Sequence, residues 1–430
     1  MKFYLISLGC PKNLTNSEEF SARLLAKGHK MVFEPNRADE IIINTCGFIA
    51  SAVKEAKEEI RYALELKRKG IVKKVAVTGC LVERFKEQVT KEFPEIDTLF
   101  SIAAQDSIEK VLHQKGPILS PLPKSLYLPR YKMSLTAPHT AYLKIADGCN
   151  NRCAYCTIPF IRGSYRSKPM EDVLREAQLM IEHGVKEISL IAQDTTSYGI
   201  DLYNKPSLLS LLEKLLKLKN LGRLRIMYAY PHRVTKELAR FMGGTDKIFH
   251  YLDIPLQHIA DPVLQRMNRH CDAAQIRSTL DMLKTEIPDI SLRTNFIVGF
   301  PQETKKDFNE LKKFVAEYEF DNVGVFEYFR EKGTAAYFMK QVSAAVKHER
   351  AAQLVEMQSR VIDKLNKRLL GTTLEVIADG PDFGRTYKDA PDIDGKVSFT
   401  KPVPTGIIFQ AKVVAAQGYE REVEPLSRNL

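Results

Sequence analysis

Three short apolar runs, FYLISLGC, IIINTC and KVAVTGC, each end in a cysteine: Cys10, Cys46 and Cys80. A helical pattern fills each gap, NSEEFSARLLAKGH in the first and SAVKEAKEEIRYALELKRKG in the second. Strands alternating with helices of that length predict a parallel sheet of βαβ units, a Rossmann-like domain over residues 1–116. Equivalent strand ends of a parallel sheet share one edge, where ligands bind. The cysteine spacings of 36 and 34 residues, about one βαβ repeat each, therefore bring together three thiols that are far apart in the chain. Gly9, Gly47 and Gly79 sit beside them and allow tight turns and close backbone approach. A single strand-end cysteine is ordinarily a buried, inert thiol. Three in the same topological place predict a metal cluster.

At 430 residues the chain exceeds one ordinary core, so further domains are expected. HQKGPILSPLPKSLYLPRYKMSLTAPH carries several prolines and no periodicity, which predicts an extended linker over residues 117–134. Alternation then resumes. AYLKIAD, EISLIAQD, RLRIMYAYP, YLDIPLQH, SLRTNFIVGFP and NVGVFEYF read as strands separated by amphipathic helices, and predict a full or partial (βα) barrel over residues 135–366. The long helical pattern SAAVKHERAAQLVEMQSRVIDKLNKRLLG stops at Gly371. Residues 367–430 break into short strands punctuated by Gly, Pro and Asp, the style of a small OB-like β-barrel. The expected fold class is α/β with a small β-barrel appended.

No apolar stretch approaches the roughly 18 residues of a membrane span. The N-terminus lacks the parts of a secretory signal, so a cytoplasmic protein with no membrane partner is expected. Seven cysteines, an odd number, fit no disulfide framework there and point to metal or redox chemistry. The formal net charge of +11 suggests an anionic partner such as nucleic acid or a ribonucleoprotein, against the plainer alternative of a lysine-rich surface. Cys271, alone after MNRH, reads as structural.

Cys149, Cys153 and Cys156 in DGCNNRCAYCTIPF form a C-x3-C-x2-C triplet on one loop. Three thiolates this close cannot all pair as disulfides, and they are soft ligands suited to zinc or an iron–sulfur cluster. Structural zinc wants a fourth ligand, and His139 is ten residues upstream. Three ligands on a four-iron cluster leave one iron open. At the end of a first barrel strand, the triplet resembles the radical S-adenosylmethionine signature. The resemblance implies a 4Fe–4S cluster on these cysteines, with the open iron chelating S-adenosylmethionine and one electron cleaving it to methionine and a 5′-deoxyadenosyl radical. It further implies Tyr155 as a ring flanking the adenine, and Gln193 and Asp194 in EISLIAQD as residues that recognise the methionine amino group. His258 in PLQH and Arg293 in RTNFIVGFP are weaker strand-end candidates, since a satisfied structural hydrogen bond is the commoner outcome. No catalytic residue is expected beyond the cluster ligands.

With Cys10, Cys46 and Cys80 added, the whole layout resembles the methylthiotransferases, whose C-terminal piece is a TRAM domain. That resemblance covers essentially the entire chain. It implies a second 4Fe–4S cluster on Cys10, Cys46 and Cys80 that carries the sulfur to be inserted. It implies S-adenosylmethionine as methyl donor and radical source, and a low-potential electron donor as partner. SLGCPKN, AQDTTSYGIDLY and GRTYKDAPDIDG look like the branch that methylthiolates the β-carbon of an aspartate in ribosomal small-subunit protein twelve. The alternative within the family is the branch acting on tRNA adenosine, which the charge and the OB-like domain also suit. Outside it stands a non-catalytic iron–sulfur or zinc protein. One departure is Gln302 in GFPQET, where the family usually has glycine.

Overall fold

The structure is a computed structural model and describes residues 1–114, 116–123, 126 and 133–426. The first sheet holds β1 (Lys2–Ser7), β2 (Lys30–Val32), β3 (Glu40–Thr45), β4 (Lys74–Gly79), β5 (Thr98–Phe100) and β6 (Gly116–Ile118), in the order β2-β1-β3-β4-β5-β6. All its pairings are parallel. β3 is buried along its full length, as a parallel strand covered on both faces must be. Ile41 and Ile43 face one apolar core and Ile42 faces the other. The helices Pro11–Ala26, Ala50–Arg68 and Cys80–Glu92 follow β1, β3 and β4. The expected linker begins inside this sheet, because Pro117 and Ile118 pair with Leu99 and Phe100. Its residues 124, 125 and 127–132 lie outside the described residues.

The second unit contains β7 (Thr140–Lys144), a short ribbon of β8 (Ala146–Asp147) and β9 (Arg166–Ser167), then β10 (Glu187–Ile191), β11 (Arg223–Ile226), β12 (Ile248–Asp253), β13 (Ser291–Val298) and β14 (Asn322–Glu327). Six of these form an open parallel sheet, β14-β13-β12-β11-β10-β7, so the barrel is the partial one. Its main apolar core lies between these strands and the surrounding helices and includes buried Cys271. The helix Ala344–Leu369 runs past the boundary expected at 366 and stops before Gly371, whose φ is +81°. Beyond it β15 (Thr373–Ala378), β16 (Phe383–Thr386), β17 (Val397–Phe399), β18 (Ile408–Gln417) and β19 (Glu420–Pro425) close into a barrel in the order β15-β16-β17-β19-β18. The parallel β17–β19 pairing gives it the five-stranded Greek-key style of an OB barrel.

The loop between β16 and β17 enters the central barrel. Its Tyr387, Ala390 and Ile393 pack with Tyr142, Met227 and Tyr251, and Leu14 of the first domain joins the same cluster. Tyr142 donates to the Pro391 carbonyl at 2.7 Å and Tyr251 to Asp394 at 2.9 Å. At the strand starts, Arg225 and Arg385 share the fully buried Glu187 carboxylate at 2.7 and 2.8 Å. Among the described residues no helix is long and apolar enough to cross a membrane.

Candidate metal centres

Cys10, Cys46 and Cys80 lie just beyond β1, β3 and β4, where each strand gives way to a helix. Cys10 is the N-cap of Pro11–Ala26 and Cys80 is the first residue of its helix. Two of the three sulfurs thus belong to the positive ends of helices, which favour thiolates. A Cβ added to Gly9 would stand 3.0 Å from the Cys46 sulfur. One added to Gly47 would stand 2.6 Å from the Leu81 nitrogen and 2.7 Å from the Cys80 carbonyl carbon. The strand ends can touch only because those positions carry no side chain. Burial pushes the Cys46 thiol up to about 11, and the charges of Cys80 and Cys10 add to the rise. Burial also raises Cys80, against the pull of Arg162. Three thiols in one partly buried edge cannot ionise together unless a cation joins them, which is what a metal centre supplies.

Arg162 crosses from the second domain to this edge and is buried. It donates to the Cys80 sulfur at 3.4 Å, to Asn13 at 3.1 Å, to Asn16 at 2.9 Å and to Asp147 at 3.3 Å. Burial works against its charge, but Cys80, Asp147 and Cys10 outweigh that and hold it protonated.

Cys149, Cys153 and Cys156 occupy the loop after β8. The Cys156 N–H donates to the Cys153 carbonyl at 3.0 Å, folding the loop on itself. The Ile158 N–H points at the Cys156 sulfur (3.5 Å) and Arg269 donates to the Cys153 sulfur at 3.6 Å. Burial pushes the Cys149 thiol up to about 11 and raises Cys156 as well, with the Cys153 charge contributing. Among the described residues no three His, Cys, Asp or Glu side chains converge on a single-ion site. A cuboidal cluster binds each thiolate to a different iron, and both triplets suit that: all-thiolate donors, with N–H groups aimed at sulfur.

Gln193 and Asp194 follow β10 at the same mouth. Gln193 donates to Asp147 at 2.9 Å, and its Oε1 is buried without a partner, an acceptor free for a ligand's donor. Asp194 is different. Its carboxylate accepts from Asn151 at 2.8 Å, from Ser197, from Thr196 and from Arg233 at 3.1 Å. Those oxygens are occupied by the protein, so Asp194 fastens the cysteine loop through Asn151. Tyr155 meets Phe300 edge-on at 6.4 Å and lines a cavity of about 280 Å³ with Phe48, Gln257, Asn295, Ile297 and Phe326. His258 follows Gln257 of that cavity wall. It is fully buried, its Nδ1 accepts from the Ala260 N–H, and burial lowers its pKa to about 3. Arg293 is a correction to the strand-end expectation. It is the third residue of β13, near that strand's entry end, and it pairs with Asp253 at 3.2 Å and Asp394 at 3.0 Å, tying the third domain to the barrel. Arg162 and Arg269 carry site contacts that no sequence motif marked, and Lys12 carries one that the SLGCPKN stretch containing it did not assign, because each is a cation whose partners come from another domain or a distant loop.

Family profiles match in three parts: an "uncharacterized protein family UPF0004" over residues 2–101, the radical SAM superfamily over residues 143–315 and a TRAM domain over residues 370–424. Solved structures with the same fold include the radical S-adenosylmethionine methyltransferase TsrM from Kitasatospora setae, at a TM-score of 0.60 and 10% identity, covering 85% of this chain and 90% of that one. The cobalamin-dependent radical enzyme OxsB matches at a TM-score of 0.53 and 13% identity over 84% of this chain and 56% of that one. Profiles, fold and cysteine geometry together define a radical S-adenosylmethionine enzyme with a TRAM domain. Two full-length relatives narrow the class. The ribosomal protein uS12 methylthiotransferase RimO of Elusimicrobium minutum is 48% identical over 98% of both chains, and that of Carboxydothermus hydrogenoformans is 44% identical over 99% of both. The chain belongs to the RimO family of methylthiotransferases.

Proposed function

We propose that the chain methylthiolates the β-carbon of an aspartate in ribosomal small-subunit protein twelve (uS12), using S-adenosylmethionine as methyl donor and radical source. The observation that carries this reading is the bridge between the two cysteine triplets. Arg162 donates both to the Cys80 sulfur and to Asp147, two residues before Cys149. Cys10, Cys46 and Cys80 would hold one 4Fe–4S cluster, and Cys149, Cys153 and Cys156 the other. When bound, the clusters and S-adenosylmethionine supply an electron, a sulfur and a carbon radical able to take hydrogen from an unactivated C–H bond, which no side-chain base removes at neutral pH.

The chain's own residues position these parts. Arg162 and Arg269 direct N–H groups at the Cys80 and Cys153 sulfurs. The unpartnered Gln193 Oε1 would accept from the amino group of S-adenosylmethionine. Tyr155, with the largely apolar wall of its cavity, receives the adenine. The loop carrying Ala390 and Leu14 of the first domain fill the barrel interior and keep water from it. In this scheme residues 1–116 carry the sulfur-donating cluster, 117–134 link, 135–366 generate the radical and 367–430 form the TRAM domain. A low-potential electron donor completes the partners. None of the seven cysteines is in a disulfide, and a reducing cytoplasm is the location this reading carries.

The test offers uS12 and tRNA in parallel to anaerobically reconstituted enzyme with S-adenosylmethionine and a reductant. The expected result is a methylthio mass gain on the uS12 peptide bearing the aspartate. Methylthio-adenosine in the tRNA, with unmodified protein, contradicts the reading and assigns the chain to the tRNA branch, which the net charge of +11 also suits.

A further inference from the structure

We propose that Lys12 is the specificity-determining residue that receives the side-chain carboxylate of the target aspartate. Lys12 occupies the first turn of Pro11–Ala26, a turn with no acidic residue, where a cation opposes the helix dipole. It is buried to 8% exposure. A desolvated ammonium in an unfavourable helix position is a local conflict that sequences keep chiefly where function needs it.

Its surroundings leave it short of an anion. Nζ lies 3.2 Å from the centroid of the Tyr228 ring and 3.5 Å from the Ala192 carbonyl. The titratable groups that face it are Cys10, Asp253, Arg162 and Asp147. Asp147 is matched by Arg162 and Asp253 by Arg293. Among the described residues no carboxylate lies within ion-pair reach of Lys12. Tyr228, which carries the ring, holds a left-handed backbone at φ +62°, strained for a bulky residue and of the kind that gathers at functional sites.

Position completes the argument, which rests on the uS12 reading. The carboxylate of an aspartate is bonded directly to the carbon that reacts, so its receptor must stand beside the reaction point. That point lies between the two cysteine triplets. Lys12 is two residues after Cys10 of the first, and its Nζ approaches the Ala192 carbonyl, next to Gln193, at the mouth of the second. An ammonium there draws in a carboxylate and fixes the β-carbon with it, while the amide of an asparagine gains much less.

The test is equilibrium binding, by fluorescence anisotropy, of a labelled uS12 peptide with the target aspartate and of its Asn counterpart to reconstituted enzyme. Wild type is expected to prefer the Asp peptide by roughly 10- to 100-fold, the worth of one hydrogen bond to a charged group. Lys12→Gln and Lys12→Met should abolish that preference, and Lys12→Arg should restore part of it, with iron content reporting that each variant is loaded. Unchanged discrimination in Lys12→Gln, or equal loss for both peptides, assigns Lys12 to the cluster or the fold and overturns the proposal. Methylthiolation of the Asp peptide by wild type checks the underlying reading separately. Without product both fall; with product and unaltered discrimination only the Lys12 assignment falls.

Discussion

Glu40 shows how a single buried side chain makes stability depend on pH. It begins β3, is 3% exposed, and its Oε1 has no hydrogen-bond partner. Burial pushes its pKa up to about 7 from 4.5, with Lys74 opposing the rise. The folded protein therefore keeps this proton where the unfolded chain releases it. Stability falls as pH rises from about 4.5 to about 7 and stays reduced above that. Glu40→Gln removes the penalty, so at pH 8 it should raise the unfolding free energy of the first domain by roughly 2–3 kcal/mol, with the gain vanishing near pH 4. Urea titrations at the two pH values check this; an equal effect at both would contradict it. Gln302 tests a different strain. Its φ of +63° lies in the left-handed region, which glycine adopts without a steric penalty. Gln302→Gly should be nearly neutral, since relief of strain offsets the freedom glycine adds to the unfolded chain. Gln302→Val should cost about 1 kcal/mol or more, read as a lower Tm.

The strand ends beyond β1, β3 and β4 are the elements on which the first metal centre depends. A methyl group on Gly47 would overlap the backbone at Cys80 and Leu81, which cannot yield without separating β3 from β4. Gly47→Ala should therefore lower iron from about eight per chain to about four while leaving the Cys149 loop loaded. Iron and sulfide analysis checks this, and full iron content would show that the edge tolerates a side chain. This edge was legible in the sequence because a cysteine and a glycine mark each of three βα units. β2, β5 and β6 were not, since three residues are too few to show periodicity. Pro117 and its neighbours read as linker because proline cannot donate to a ladder, yet β6 is an edge strand where that donor is not needed. The roles of Asp194 and Arg293 were hidden for another reason. Asp194 follows the end of β10 and Arg293 lies near the start of β13, but their partners, Asn151 and Arg233 for one and Asp394 for the other, come from distant sequence.

At the scale of the whole molecule, the first and third domains both reach into the central barrel. Lys12 and Leu14 come from one side, and the loop with Tyr387 and Ala390 from the other. GRTYKDAPDIDG, read in the sequence as a family-distinguishing stretch, supplies that loop. The third domain is held by Arg385 on Glu187 and by Asp379 on His139. Arg385→Ala leaves Glu187 buried with Arg225 as its one remaining cation, and should cost about 3 kcal/mol and expose the helix end near Leu369 to protease. Limited proteolysis with thermal unfolding reads this, and an unaltered digest would show that docking rests on the apolar contacts. The central claim is that the six cysteines form two separate metal centres joined across one seam. Iron analysis of the anaerobically reconstituted Cys10→Ala, Cys46→Ala, Cys80→Ala triple variant tests it most directly. About half the wild-type iron is expected, about four in place of about eight, with S-adenosylmethionine cleavage retained at the second centre. Wild-type iron content in the triple variant would contradict it.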